Sequence, residues 1–172
     1  MTCALVYSGS IETLGGEALM SFTAGSCDSV LQCSQRSLKN ASLPDLMHFI
    51  REITAKAKVS TTTMVIGLIY IHRLKKILPA TARGDFDTPH KIFLSTILVA
   101  SKFVCDESLQ NKMIADVTGG LYSVRDVNTM ERSFLGLLKY DLWVSGEEVK
   151  AFLEEHKHEL DLGADWNMAR EA

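Results

Sequence analysis

Catalytic signatures are what this 172-residue chain most plainly lacks. It has no GxSxG, no P-loop, no GxGxxG and no HExxH, which removes the nucleophile elbow, the phosphate cradle and the zincin site. Its histidines, at 48, 72, 90, 156 and 158, are scattered; His156 and His158 stand two apart on a predicted helix and so do not share a face. The cysteines, Cys3, Cys27, Cys33 and Cys105, form no CxxC pair and no zinc-ligand spacing, so reduced thiols are expected rather than a disulfide framework. Neither a metal nor a cofactor is expected.

Long apolar runs and charge of one sign are also missing. The longest unbroken apolar window, Met64 to Ile71, is far shorter than the roughly 20 residues that cross a bilayer. The first residues carry no basic stretch and break at Ser8-Gly9, unlike a secretory signal. An intracellular protein of the nucleus and/or cytoplasm, with no membrane partner, is expected. A net charge of −3 gives no general attraction to phosphate backbones and weighs against a nucleic-acid partner. Arg73, Lys75, Lys76 and Arg83 form a local basic cluster, read as a solvated helix face.

What the chain does have is enough apolar content, 47% of residues, to build one core. Residues 1–41 hold Gly15-Gly16, many serines and only a weak helical hint across Val30, Leu31 and Leu38, so a tail or a strap lying on the domain is expected. From Ser42 the pattern changes. Ser42-Leu-Pro-Asp45 reads as a helix start, followed by Leu46, Phe49, Ile50 and Ile53 at helical spacing. A second helix, Thr61 to Leu78, is apolar on both sides and stops at Pro79, as expected of a helix in the middle of a domain. Thr88 at the cap and Pro89 at the first position open a third, also buried helix through about Val104.

Asn111 to Thr118 supplies a short fourth helix stopped by Gly119-Gly120. Ser123-Val-Arg-Asp126 caps a fifth, whose stripe is Val127, Met130, Phe134, Leu137 and Leu138. After Ser145-Gly-Glu-Glu148 a sixth carries Val149, Phe152, Leu153 and Leu160 inward, before a polar tail. No run alternates at period two, so the fold class is all-α, with the second and third helices buried by the others. His72, on one of these buried helices, is expected to be a hydrogen-bonded core histidine.

Two stretches stand out, Phe93 to Asp106 and Asn128 to Leu142, because each sets one charged residue, Lys102 or Glu131, beside a face otherwise fit for burial. That suits gripping another protein's helix better than chemistry. Thr63 to Leu74, Phe93 to Val104 and Met130 to Leu142 resemble, in order and separation, the cyclin box. Asp106-Glu-Ser-Leu-Gln-Asn-Lys112 and Thr118-Gly-Gly-Leu-Tyr-Ser123 are most similar to fungal Pcl-type cyclins, partners of a phosphate-responsive cyclin-dependent kinase.

The resemblance implies a five-helix box over residues 42–143, with 1–41 as a flanking segment and 144–172 as a C-terminal helix and polar tail. It implies a non-catalytic regulatory subunit that binds, activates and helps to target a cyclin-dependent serine/threonine kinase, with phosphoprotein substrates as further partners. Lys102 and Glu131 would hydrogen-bond to main-chain groups beside the kinase's regulatory helix. Phe103, Leu135, Tyr140 and Leu142 would form an apolar groove around them. Leu109 and Ile114 stand where Pcl-type relatives tend to have Pro and Trp. Met47-His-Phe-Ile-Arg51 lacks the Trp of the substrate-docking patch of conventional cyclins, so that patch is not carried over. A cyclin-fold transcription-factor or nucleic-acid-binding module is the alternative, and a small-molecule hydrolase on an all-α scaffold a third.

Overall fold

A computed structural model of the protein describes residues 14, 16–35 and 42–163. These form seven helices, α1 (Gly16–Asp28), α2 (Leu46–Lys56), α3 (Thr61–Ile77), α4 (Thr88–Val104), α5 (Asn111–Val117), α6 (Val124–Leu137) and α7 (Gly146–Glu155). Two two-residue strands, β1 (Gln32–Cys33) and β2 (Arg83–Gly84), pair in parallel and tie the segment after α1 to the loop before α4. The fold is all-α, and α2 to α6 are the five helices read from the sequence between Ser42 and Leu142.

The middle of the molecule is the crossing of α3 and α4. Every residue of α3 from Thr63 to Ile71 is buried, and on α4 all but Lys91 from Pro89 to Ser101. A helix without a wet face needs neighbours on every side, and α1, α2, α5, α6 and α7 supply them. At the crossing a Cβ on Gly67 would stand 2.7 Å from Thr96 Cγ2, so only glycine allows this approach. The resulting core is one cluster that includes Phe49, Ile50, Leu68, Tyr70, Phe93, Leu94 and Leu98.

Local chemistry starts and stops these helices, with small shifts from the sequence reading. For α2 the cap is Asp45, not Ser42: its carboxylate accepts from the amides of Met47 and His48 at 3.0 and 3.3 Å. α4 starts at Thr88 behind Asp87, which caps nothing with its side chain and instead takes the Tyr122 hydroxyl at 3.0 Å. In α6, Ser123 and Asp126 form the expected reciprocal capping box. Val127, Phe134 and Leu138 of its stripe are buried, Met130 is half-buried, and Leu137 is exposed. The helix ends at Leu137 because Lys139 and Tyr140 turn left-handed, at φ of 52° and 56°, well before Leu142.

Within the segment before residue 42 the structure adds α1. It buries Leu19, Thr23, Ser26 and Cys27 against α2, α3 and α4, and Glu17 pairs with Arg51 of α2. The weak helical hint at Val30 and Leu31 lies beyond its end, and Leu38 is outside the described residues. α7 buries Val149, Phe152 and Leu153, and Leu160 beyond it is fully buried.

Candidate partner-binding face

α4 is buried almost to its last turn, then surfaces at Lys102, where a cation also suits the negative end of the helix. Ser101, one residue earlier, accepts the amide of Leu109 at 2.8 Å and folds the 105–110 loop back over the helix end. That loop delivers Asn111, the first residue of α5, to the Lys102 side chain.

Lys102 Nζ donates to Glu131 Oε1 at 2.5 Å and to Asn111 Oδ1 at 2.8 Å. The Asn111 amide nitrogen in turn donates to Glu131 Oε2 at 2.8 Å and to Asn128 Oδ1 at 2.6 Å. Lys102 and Glu131, on α4 and α6, are therefore brought into direct contact as the helices cross. The Lys102 side chain is 40% exposed and that of Glu131 14%. Two of three ammonium N–H groups are spent here, and each carboxylate oxygen keeps acceptor capacity.

Beside this pair the apolar residues form a chain of contacts. Phe103 is half-buried, its ring edge-on to Tyr70 at 6.4 Å and to Trp143 at 6.2 Å. The Tyr70 hydroxyl donates to the Leu142 carbonyl at 2.8 Å, and burial pushes that phenol well above its ordinary range, which keeps it a donor. Leu135 and Leu142 are half-buried against the core. Tyr140 is 68% exposed, and its amide donates to the Leu135 carbonyl at 3.0 Å.

Of the six residues singled out from the sequence, Lys102 and Glu131 touch, Phe103 follows Lys102 in the chain, and Leu135, Tyr140 and Leu142 are linked by backbone hydrogen bonds. A cavity of about 840 Å³ lies between α4, α6 and the loop holding β2, and one of about 700 Å³ between α1 and α3. Neither is lined by any of the six.

Sequence reasoning missed Asn111, Asn128 and Trp143. Asn128 was findable, since it sits three residues before Glu131 on the same helical face. Asn111 was not, because its role depends on the fold of the 105–110 loop. Trp143 is 60% exposed and held in place by its backbone: Arg73 donates to its carbonyl at 2.6 Å and to that of Asp141 at 2.8 Å.

His72 is not the hydrogen-bonded core histidine expected. It is half-buried, and its ring packs against Phe22, Phe152 and His156 at centroid distances of 6.0, 5.1 and 5.0 Å. Among the described residues no group of three or more His, Cys, Asp or Glu side chains could hold a metal, and no helix is long and apolar enough to cross a membrane. The arrangement at Lys102 and Glu131 offers a donor, acceptors and aromatic surface, with no nucleophile and base pair.

Comparison with known proteins gives the same direction. Residues 23–143 match the family described as "Cyclin, N-terminal domain". The chain is 39% identical over 127 residues to PHO85 cyclin-1 of Saccharomyces cerevisiae, covering 72% of this chain and 46% of that protein. With PHO85 cyclin-9 of the same yeast it shares 30% identity over 131 residues, 75% of this chain and 43% of the relative. Cyclin-U2-2 of Arabidopsis thaliana is 26% identical over 161 residues, 92% of this chain and 66% of the relative. The chain spans less than half the length of the two yeast relatives.

Proposed function

This chain belongs to the cyclin family, and from that premise we propose that it is a non-catalytic regulatory subunit that binds and activates a cyclin-dependent serine/threonine kinase. The names of its yeast relatives attach them to PHO85, and a kinase of that kind is the proposed partner. The observation that carries the reading is the Lys102–Glu131 pair, accessible at the end of an otherwise buried helix and flanked by exposed aromatic residues.

The chemistry suits a peptide backbone. An ammonium with one N–H to spare donates to a main-chain carbonyl, and a carboxylate with free lone pairs accepts main-chain N–H groups; charge assistance strengthens both. Phe103, Leu135, Tyr140 and Leu142 receive the apolar side chains of the kinase's regulatory helix. Docking favours the kinase conformer in which that helix completes the ATP site, so the cyclin shifts a population and contributes no reacting group. Residues 42–143 form the contacting box, with α1 packed beside it and α7 following it. The kinase's phosphoprotein substrates are selected within the cell by the assembled pair. Nothing in the structure favours the transcription-factor or nucleic-acid reading, and the net charge of −3 weighs against it.

Purified chain mixed with PHO85 and a protein substrate should raise kinase activity above that of PHO85 alone. Lys102→Ala combined with Glu131→Ala should abolish both activation and co-purification while the helical circular-dichroism spectrum stays as it was. Unchanged co-purification by the double variant would overturn the reading.

A further inference from the structure

We propose that Asn111 is a positioning residue for the kinase-contacting pair, its side-chain amide locking the Lys102 ammonium and the Glu131 carboxylate into the arrangement a partner meets. This rests on the kinase reading given above and deepens it.

Asn111 touches both members of the pair with chemically opposite ends. Its Oδ1 accepts from Lys102 at 2.8 Å, while the two N–H bonds of its Nδ2 are spent on Glu131 Oε2 at 2.8 Å and Asn128 Oδ1 at 2.6 Å. The amide can take only this orientation. Flipped, it would set N–H against ammonium and oxygen against two acceptors. Asn111 therefore reads the sign of each neighbour and brackets their direct contact with one hydrogen bond to each.

Without it, Lys102 and Glu131 would still attract, but the 40% exposed lysine has a long, freely rotating stem. The amide restricts that stem before any partner arrives, which lowers the ordering cost of docking. Asn128, three residues before Glu131, buttresses the amide from the α6 side.

Asn111→Asp tests this with almost no change of volume. It replaces the donor with an oxygen that faces Glu131 Oε2 and Asn128 Oδ1, turning two attractions into repulsions and drawing Lys102 off Glu131. An acidic residue is well tolerated in the first turn of a helix, so folding alone gives no reason for the variant to suffer. Binding of the full chain to purified PHO85 should weaken about tenfold or more, since charge-assisted hydrogen bonds are lost. The thermal midpoint should fall by no more than roughly 5 °C, since Asn111 is only half-buried and water can solvate the new carboxylate. Asn111→Ala, which removes attraction without adding repulsion, should fall between the two.

An unchanged Kd for N111D, alongside a Lys102→Ala and Glu131→Ala double variant that fails to bind, overturns the positioning role and leaves the kinase reading standing. A loss of affinity that merely tracks a loss of folded protein overturns it as well. A double variant that binds like the wild type sinks the kinase reading itself.

Discussion

Arg73 and Lys102 each carry a cation at the far end of a central helix to a glutamate on a later helix, yet the two seams they close are built on different plans. On the α3–α7 seam, Arg73 is 18% exposed and spends its guanidinium on both oxygens of Glu148, at 2.7 and 2.8 Å, and on the carbonyls of Asp141 and Trp143. Its head also lies 5.8 Å from the centre of the Tyr70 ring. On the α4–α6 seam, Lys102 is 40% exposed and bonds only to side chains. A planar fork fixed on backbone carbonyls anchors the chain, whereas a point charge held by movable side chains can be shared with a newcomer. The first seam is a lock, and the second is the one proposed to receive a partner.

The largest effect should separate these roles by stability. Arg73→Met leaves the partly exposed Glu148 carboxylate and the carbonyls of Asp141 and Trp143 without their donor, at a cost of about 2–3 kcal/mol, or roughly 4–12 °C in thermal midpoint. Lys102→Met should cost less, about 1 kcal/mol, because Glu131 keeps the Asn111 N–H and no backbone carbonyl loses a donor. Thermal denaturation of the two variants side by side checks this. Equal losses would erase the distinction between lock and docking point.

A smaller effect, read in binding, concerns Trp143. Its carbonyl is fixed by Arg73, the neighbouring Leu142 carbonyl by Tyr70, and its ring leans edge-on against Phe103. An exposed tryptophan ordered in advance is the kind of residue that dominates an interface. Trp143→Ala should weaken kinase binding about tenfold, measured by calorimetric titration, with stability changed by about 1 kcal/mol or less. In an Arg73→Met background the same truncation should cost less affinity, since the ring is no longer held. Full additivity would show that the lock does nothing for the docking face.

The helices were legible because helical spacing, caps and prolines all act locally. Pro79 and Pro89 bracket the loop between the central helices, and the Ser123 capping box appears where its sequence says. Lys102 and Glu131 were legible as lone charges beside apolar faces, and their contact follows from the α4–α6 packing. What could not be read is what depends on chain returning from a distance. Arg73 looks like one more member of a solvated basic cluster until the segment after α6 and then α7 arrive to occupy it. α1 has low amphipathic contrast, its buried positions including Thr23, Ser26 and Cys27, so periodicity alone underrates it. Asn111 has meaning only once Ser101 has folded the 105–110 loop back.

The smallest effect is a pH response that belongs to the locked seam. His72 packs among Phe22 of α1 and Phe152 and His156 of α7. Burial, then His156 and Lys75, lower its pKa below the ordinary 6.5, with Lys76 acting in the same sense and Glu155 against it. Glu159 sits 4.0 Å from His156 and faces the same pocket. The unfolded chain therefore takes up this proton more readily than the folded one. Stability tied to the neutral ring is present above about 6.5 and drains away as pH falls from there through the lowered folded value. Thermal midpoints measured from pH 7.5 down to about 5.5 should fall, and His72→Phe, which keeps an aromatic ring in the cluster, should flatten part of that slope. Lys102→Met should retain the slope in full, because its seam does not touch this imidazole. A slope untouched by His72→Phe would place the proton elsewhere and leave the locked seam indifferent to acid.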